Sequence, residues 1–492
     1  MDSILRHPFF PLVSMGIILS LLFIFFFPPT FVAIDEHQYL KNAFLIQNSQ
    51  LKSADPLTYC GGAVVGTEYL SNYHIGKSIF LIPFTWLPFP FAMVSGLIIH
   101  LISMFIFALI LRKLKLNPWL LALFAFYPAL LWESRTLFSE TLALTFLLGA
   151  IYFYLERSSR AMLAAGILFG LAALVRIDTI LISIGFAAAL IWKEKQTLIT
   201  WKRSPAISFV IGGIISGTLL LAWNTWYNGS PFLTQLGNPS RLFTTFPQPL
   251  FFNNLFLLIV LLMAAYPFML LALARFKELR LELFLATILT LALFSNNSNI
   301  SVFNFFSPLT ITARMRYLIP LAGILLVAYA AAISPSIEKI KQRIGKTNIL
   351  RIGVVIGIIF LVGAVALHTT HQDFLMKREA VSTQLQSAIP DGALVIGSSD
   401  DCIYFMPALS GDRKYAKVDS ANQNISNIFA QNSTVYVMQL SYSNQSDSDE
   451  RQETIDKERK AIADFIRDNT SSLEEVFQTN TPHYLTIYRL QR

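Results

Sequence analysis

Apolar runs separated by a few polar residues follow one another from Phe9 to Leu367. A bilayer core needs roughly 20 apolar residues in one helix. Lipid offers no partner to an open peptide group, so such runs read as membrane-spanning helices. Eleven segments fit: Phe9–Phe27, Phe91–Leu111, Pro118–Leu131, Leu137–Leu155, Ala161–Val175, Ile177–Trp192, Pro205–Asn224, Leu255–Ala274, Leu281–Phe294, Tyr317–Ser334 and Ile352–Leu367. Ser78–Phe89 is apolar but broken by proline, which suits a re-entrant or interfacial segment. Near His371 the pattern changes. Ala393–Gly397, Ser433–Leu440 and Tyr484–Leu490 are strand-like, and Glu450–Asp468 sets Ile455, Ile462, Phe465 and Ile466 on a charged helical background. The expected architecture is a polytopic α-helical membrane domain over 1–371, with about eleven spans, and a small α/β domain over 372–492.

Composition agrees. The chain of 492 residues is 54% hydrophobic and only 14% charged, which excludes an ordinary soluble protein. Its formal charge of +8 is unevenly placed. Lys and Arg cluster between alternate segments, at 112–115, 157–160, 193–203, 275–280 and 339–351, whereas the opposite ends carry isolated Lys41, Lys52, Lys77, Arg135, Arg176, Arg241, Arg314 and Arg316. The positive-inside rule then puts the N-terminus in the cytoplasm and, after eleven spans, the tail outside. The first run lacks a small-residue cleavage site and reads as a retained helix. The basic loops fit anionic lipid headgroups and give no reason to expect nucleic acid. The tail is net acidic. Cys60 and Cys402 both fall outside, where they either pair or remain thiols, and no Cys/His spacing suggests zinc.

On the expected outer side, Asp35-Glu36 follow the first span directly. Further charges gather there: Lys77 after His74, Glu133 and Arg135 with Glu140 one turn on, Arg176 and Asp178, and Arg314 and Arg316. An ionised group held at the centre of a span costs roughly 2.5–3.5 kcal/mol, so partners are expected. Neighbours such as Glu133/Arg135 and Arg176/Asp178 can neutralise one another, and Arg176/Asp178 alone reads equally well as a pin on helix ends. Clustering on one side argues for an anion-binding cavity in which Lys77, Arg135, Arg314 and Arg316 clamp a phosphate. A polyprenyl phosphate is a good leaving group when cations stabilise its charge. A hydroxyl attacking the sugar's anomeric carbon needs one carboxylate base. Adjacent Asp35 and Glu36 cannot face each other across a sugar, so a single inverting displacement is expected rather than a paired-acid mechanism. The same two carboxylates are the candidate ligands of a divalent ion, Mg²⁺ or Ca²⁺, although two are too few to define a site. Trp86, Trp132, Trp223, Trp226 and Tyr227 lie near outer span ends, as an interfacial belt would.

Five motifs, in order, resemble the GT-C superfamily of polytopic glycosyltransferases, in the branch of protein O-mannosyltransferases and lipid A aminoarabinose transferases. Asp35-Glu36-His37-Gln38-Tyr39 resembles its acidic motif. Tyr73-His74-Ile75-Gly76-Lys77-Ser78, then Leu81-Ile82-Pro83-Phe84, is similar to its Tyr-x-x-Gly-Lys then Pro segment. Leu174-Val175-Arg176-Ile177-Asp178 resembles Val-Arg-Pro-Glu, with Ile177 and Asp178 departing from it. Asn228-Gly229-Ser230-Pro231-Phe232 and Arg316-Tyr317-Leu318-Ile319-Pro320 complete the set. The likeness runs from about Arg6 to Ser334.

The resemblance implies a transferase that moves a sugar from a polyprenyl-phosphate donor to a glycolipid, glycan or protein on the outer face of a bacterial or archaeal cell membrane. It implies Asp35 as the catalytic base or the acid that organises acceptor and metal, assisted by Glu36, and donor-phosphate ligands Lys77, Arg135 and Arg316; Tyr39, His74, Glu133 and Arg314, on the same expected side, are the candidate substrate-lining residues. The rival is a transporter or flippase of a lipid-linked or anionic solute. That function would place charges in broken helices at mid-membrane depth, in matching halves of the chain, and no such repeat is visible.

Overall fold

Prolines open several helices in the computed structural model, which describes residues 9–50, 52, 63–65, 68–71, 73–195, 204–231, 246–247, 250–296, 311, 314–390, 392–397, 414–417, 434–441, 449–479 and 484–491. Cys60, Cys402, Arg6, Arg241 and Phe232 lie outside these residues. The chain divides into two compact units, one of Met1–Phe27 with Val94–His371 and the other of Pro28–Met93 with Gln372–Arg492.

The first unit is helical. Helix α1 (Phe10–Phe25) opens with Pro11 in its first turn. The second unit then supplies α2 (Ile34–Gln47), the hairpin strands β1 (Ala63–Val65) and β2 (Glu68–Leu70), and α3 (Ile75–Leu81). Back in the helical unit come α4 (Val94–Lys113), α5 (Leu121–Ala125), α6 (Pro128–Glu133), α7 (Glu140–Tyr154), α8 (Ser159–Val175), α9 (Ile180–Lys193), α10 (Pro205–Asn228), α11 (Phe251–Ala265), α12 (Ala272–Arg275) and α13 (Arg280–Ser295). Side-chain caps start two of them: Ser158 accepts from the Ala161 N–H and Ser204 from the Ala206 N–H. Helix α10 ends at Gly229, whose φ of 78° is a left-handed conformation that suits glycine. Helix α14 (Ile319–Ala388) is two helices joined at Gly345, where φ 77° and ψ 163° leave helical space altogether.

Helices α8 and α10 approach unusually closely. A Cβ on Gly166 would lie 2.1 Å from the Phe209 carbonyl oxygen, and one on Gly212 would lie 2.3 Å from that of Leu163. Small residues therefore replace side-chain bulk with backbone-to-backbone packing, as membrane helices do. Among the described residues, four helical stretches are long and apolar enough to cross a membrane: Pro90–Lys113, Pro205–Asn228, Arg316–Ile340 and Arg351–Ala388. With the shorter apolar helices beside them, the chain is an integral membrane protein.

Several expected segments are built differently. Pro118–Leu131 is not one helix: a 3-10 turn at Pro118–Leu120, α5 and α6 follow one another, because Pro128 has no N–H and starts a new helix. Leu255–Ala274 is cut at Tyr266, with Pro267 next and α12 beginning only at Ala272. The last apolar helix runs on from Leu367 to Ala388. Ser78–Phe89 is broken as expected, passing from α3 into a 3-10 turn at Ile82–Trp86.

The second unit also holds a mixed five-stranded sheet in the order β4 (Lys414–Lys417), β3 (Leu394–Gly397), β5 (Val435–Ser441), β7 (Tyr484–Leu490) and β6 (Leu473–Thr479). Strand β3 is parallel to both β4 and β5, while β7 is antiparallel to β5 and β6. Helix α15 (Asp449–Asp468) sets Ile462 and Phe465 against Leu394, Ile396, Val435, Val437 and Leu490. The expected strands and helix appear within two residues of their sequence bounds. Edge strands β4 and β6 went unseen because an edge needs little apolar patterning.

Candidate functional site

Asp35 lies not in a loop but in the first turn of α2, a helix absent from the sequence reading. Its N-terminus is capped from within. Glu36 Oε2 accepts the backbone N–H of Val32 at 2.5 Å and that of Ala33 at 3.0 Å. Carboxylates at a helix start are favoured by the exposed N–H groups and the helix dipole. Glu36 is fully buried, whereas Asp35 is half-buried. The two adjacent acids thus do different work: Glu36 holds the backbone, and Asp35 faces Tyr73, whose hydroxyl donates to Asp35 Oδ1 at 2.7 Å.

Around this pair α2 packs on α3. Tyr39 is buried with its ring 5.2 Å from that of Tyr73. Ser71 donates to Gln38 Oε1 at 3.1 Å. His74 precedes α3 in an extended conformation, and Lys77 sits inside α3, fully buried, with its ammonium 5.7 Å from the Phe80 ring centre. His37 is buried edge-on to Phe31, and burial together with Lys41 pushes its pKa down to about 3. Thus Asp35, Glu36, Tyr39, His74 and Lys77 all belong to one small polar region of a single unit.

The remaining predicted residues belong to the helical unit. Glu133 turns to Thr141, accepting its N–H at 2.8 Å and its hydroxyl, so the expected pairing with Arg135 gives way to a helix-start cap. Arg135, fully buried, donates to the His368 carbonyl at 3.2 Å and lies 3.1 Å from His371 Nδ1. Arg176 holds Asp178 at 3.0 Å, as expected, and also Glu140 at 2.6 Å. Arg316 lies 3.9 Å from the same Glu140 oxygen, with its guanidinium over the rings of Phe138 and Tyr317. Arg314 is buried. Glu140 therefore collects two arginines, although its place at a helix start gave no hint of this. Trp132 is a core residue, stacked on Phe138 and against His371, and not part of an interfacial belt.

No protein-family model and no curated protein sequence matches the chain. Its structure is similar to crystal structures of ArnT from Cupriavidus metallidurans, one bound to undecaprenyl phosphate and one in the apo state. Each matches at 12% identity over 97% of both chains, with a TM-score of 0.54. The likeness is one of fold, over nearly the whole length of both chains. The arabinofuranosyltransferase AftD from Mycobacteria also aligns, at 13% identity and a TM-score of 0.49, over 97% of this chain and 40% of that one.

The expected divalent ion rests on Asp35 and Glu36. Among the described residues no three His, Cys, Asp or Glu side chains gather as a metal set. Glu36, one of the two expected ligands, directs Oε2 at two peptide N–H groups. Two residues around Asp35 and Glu36 left little trace in the sequence pattern. Tyr73 was visible only as the first letter of a motif. Arg378 lies in the second half of α14, far from every motif in sequence, and donates to the carbonyls of Phe31 and Val32.

Proposed function

We propose that this protein is a glycosyltransferase that takes a sugar from a polyprenyl-phosphate donor and passes it to a hydroxyl of a glycolipid, glycan or protein on the outer face of the membrane. The observation that carries the reading is the Asp35 carboxylate, held by the Tyr73 hydroxyl at the start of a self-capped helix in a GT-C fold. The ArnT structure with undecaprenyl phosphate supports the class of donor. In the proposed step the acceptor oxygen attacks the anomeric carbon while the bond from that carbon to the phosphate oxygen breaks. The polyprenyl phosphate leaves with the electron pair, the acceptor proton passes to Asp35, and the anomeric centre inverts.

Lys77 is assigned to the departing phosphate. It lies on α3, which packs on the helix that bears Asp35. Arg135 and Arg316, the other residues expected there, are engaged with His371 and with Glu140, Phe138 and Tyr317, so the proposal leaves their charge to the packing of the helical unit.

The test is transfer from a panel of radiolabelled undecaprenyl-phosphate hexoses and pentoses to total membrane lipid and protein. Wild-type protein is expected to transfer at least one of them and Asp35→Asn none. Full transfer by folded Asp35→Asn would end the proposal.

A further inference from the structure

The turn that delivers Asp35 is irregular. From Thr30 to Ala33 the chain belongs to no helix or strand, so its peptide groups need partners from outside the regular hydrogen-bond ladders. Two side chains of opposite charge supply them. Glu36 Oε2 accepts the N–H of Val32 and of Ala33. Arg378, from the far end of α14, donates through Nη1 to the carbonyl of Phe31 at 3.5 Å and to that of Val32. The pairing is by peptide group. The Phe31–Val32 peptide offers its N–H to Glu36 and its C=O to Arg378, and the Val32–Ala33 peptide does the same. Two consecutive peptides are therefore clamped between a carboxylate on one side and a guanidinium on the other.

Each charge polarises the peptides it touches, and polarised hydrogen bonds reinforce one another. Bonds to ionised groups are about twice as strong as neutral ones. Arg378 is itself braced by Phe374, one helical turn back, whose ring centre lies 4.6 Å from the guanidinium carbon. Phe31 is fully buried and anchors the near end of the turn.

We infer that Arg378 is a positioning residue for Asp35: with Glu36 it fixes the Phe31–Ala33 peptides, and so the direction in which Asp35 leaves the backbone. The assignment rests on Asp35 being the base. It needs no contact between Arg378 and substrate. Arginine suits the task because its planar fork reaches successive carbonyls from one position, which a lysine ammonium does less well.

The experiment uses the full-length protein in lipid nanodiscs with whichever undecaprenyl-phosphate sugar the wild-type protein transfers. Arg378→Met is expected to lower kcat about tenfold or more, since small misplacements of a reacting group are costly, while KM for the donor stays within about twofold. Arg378→Lys is expected to recover part of the loss. Hydrogen exchange across residues 28–36 should speed up in Arg378→Met and be partly restored in Arg378→Lys. Wild-type kcat in Arg378→Met, or a rise in KM that accounts for the whole loss, would overturn the inference. Should Arg378→Met not fold, unaltered kcat and exchange in Arg378→Lys overturn it equally. Asp35→Asn separates the two levels. If that variant is fully active, the proposed function fails; if it is inactive and Arg378→Met is not impaired, only the positioning role fails.

Discussion

The hydroxyl of Tyr73 donates to Asp35 Oδ1 at 2.7 Å, joining two residues 38 positions apart. A hydrogen bond to a charged group is worth about 1.5–3 kcal/mol. Tyr73→Phe keeps the ring against Tyr39 and removes only this donor. Its kcat is expected to fall on the order of tenfold, with a loss of stability no larger than the worth of that bond, since water reaches half-buried Asp35. Steady-state kinetics beside a melting curve checks this, and an unchanged kcat would show that Asp35 works without Tyr73.

Glu36 accepts two peptide N–H groups from a buried position. Glu36→Ala leaves both donors without their acceptor and is expected to destabilise the fold by about 1–3 kcal/mol. Glu36→Gln keeps one carbonyl oxygen and should lose less. Thermal unfolding of the two variants in parallel distinguishes this capping role from a catalytic one, in which both would melt like wild type and lose turnover.

His37 carries the acid sensitivity of the α2 region. Its pKa in the fold is near 3, below the ordinary 6.5, because burial and Lys41 oppose its charged form. Between those two values the unfolded chain binds a proton that the folded one refuses. Stability is therefore complete above pH 6.5 and falls as the pH drops toward 3, by at most about 1.4 kcal/mol per pH unit. His37→Phe, which fills the place beside Phe31 without titrating, is expected to flatten this slope. Unfolding midpoints at pH 7, 6, 5 and 4 measure it; identical slopes in both proteins would assign the sensitivity elsewhere.

Gly166 and Gly212 allow α8 and α10 to touch through their backbones. Gly166→Ala places a methyl group where the Phe209 carbonyl stands, so the helices must separate. Overpacking of this kind costs about 1–3 kcal/mol. Gly213→Ala, on the facing helix α10 with open space around it, is the control and should melt like wild type.

Much of this protein was legible in its pattern. The helices α4, α10 and α13, the central strands β3, β5 and β7 and the helix α15 follow their apolar periodicity closely, because a fully buried face or a lipid-facing helix leaves a strong compositional mark. Helix α2 did not, since its residues Glu36, His37, Gln38 and Asn42 are polar yet buried. A buried polar face has the same composition as a solvated loop until the partners that satisfy it are known.

The sequence by itself determined that the chain builds membrane helices and a small α/β sheet, because hydrophobic burial and strand alternation are local properties readable from a few neighbouring residues. Only the tertiary structure decided that Glu36 caps the turn before Asp35, that Tyr73 bonds to Asp35 and Arg378 to that turn, that Arg135 meets His371, and that Glu140 gathers two arginines. Those assignments depend on directions and distances between residues up to 347 positions apart in the chain. A hydrogen bond is set by the geometry of the folded backbone, and nothing in the adjacency of two letters specifies it.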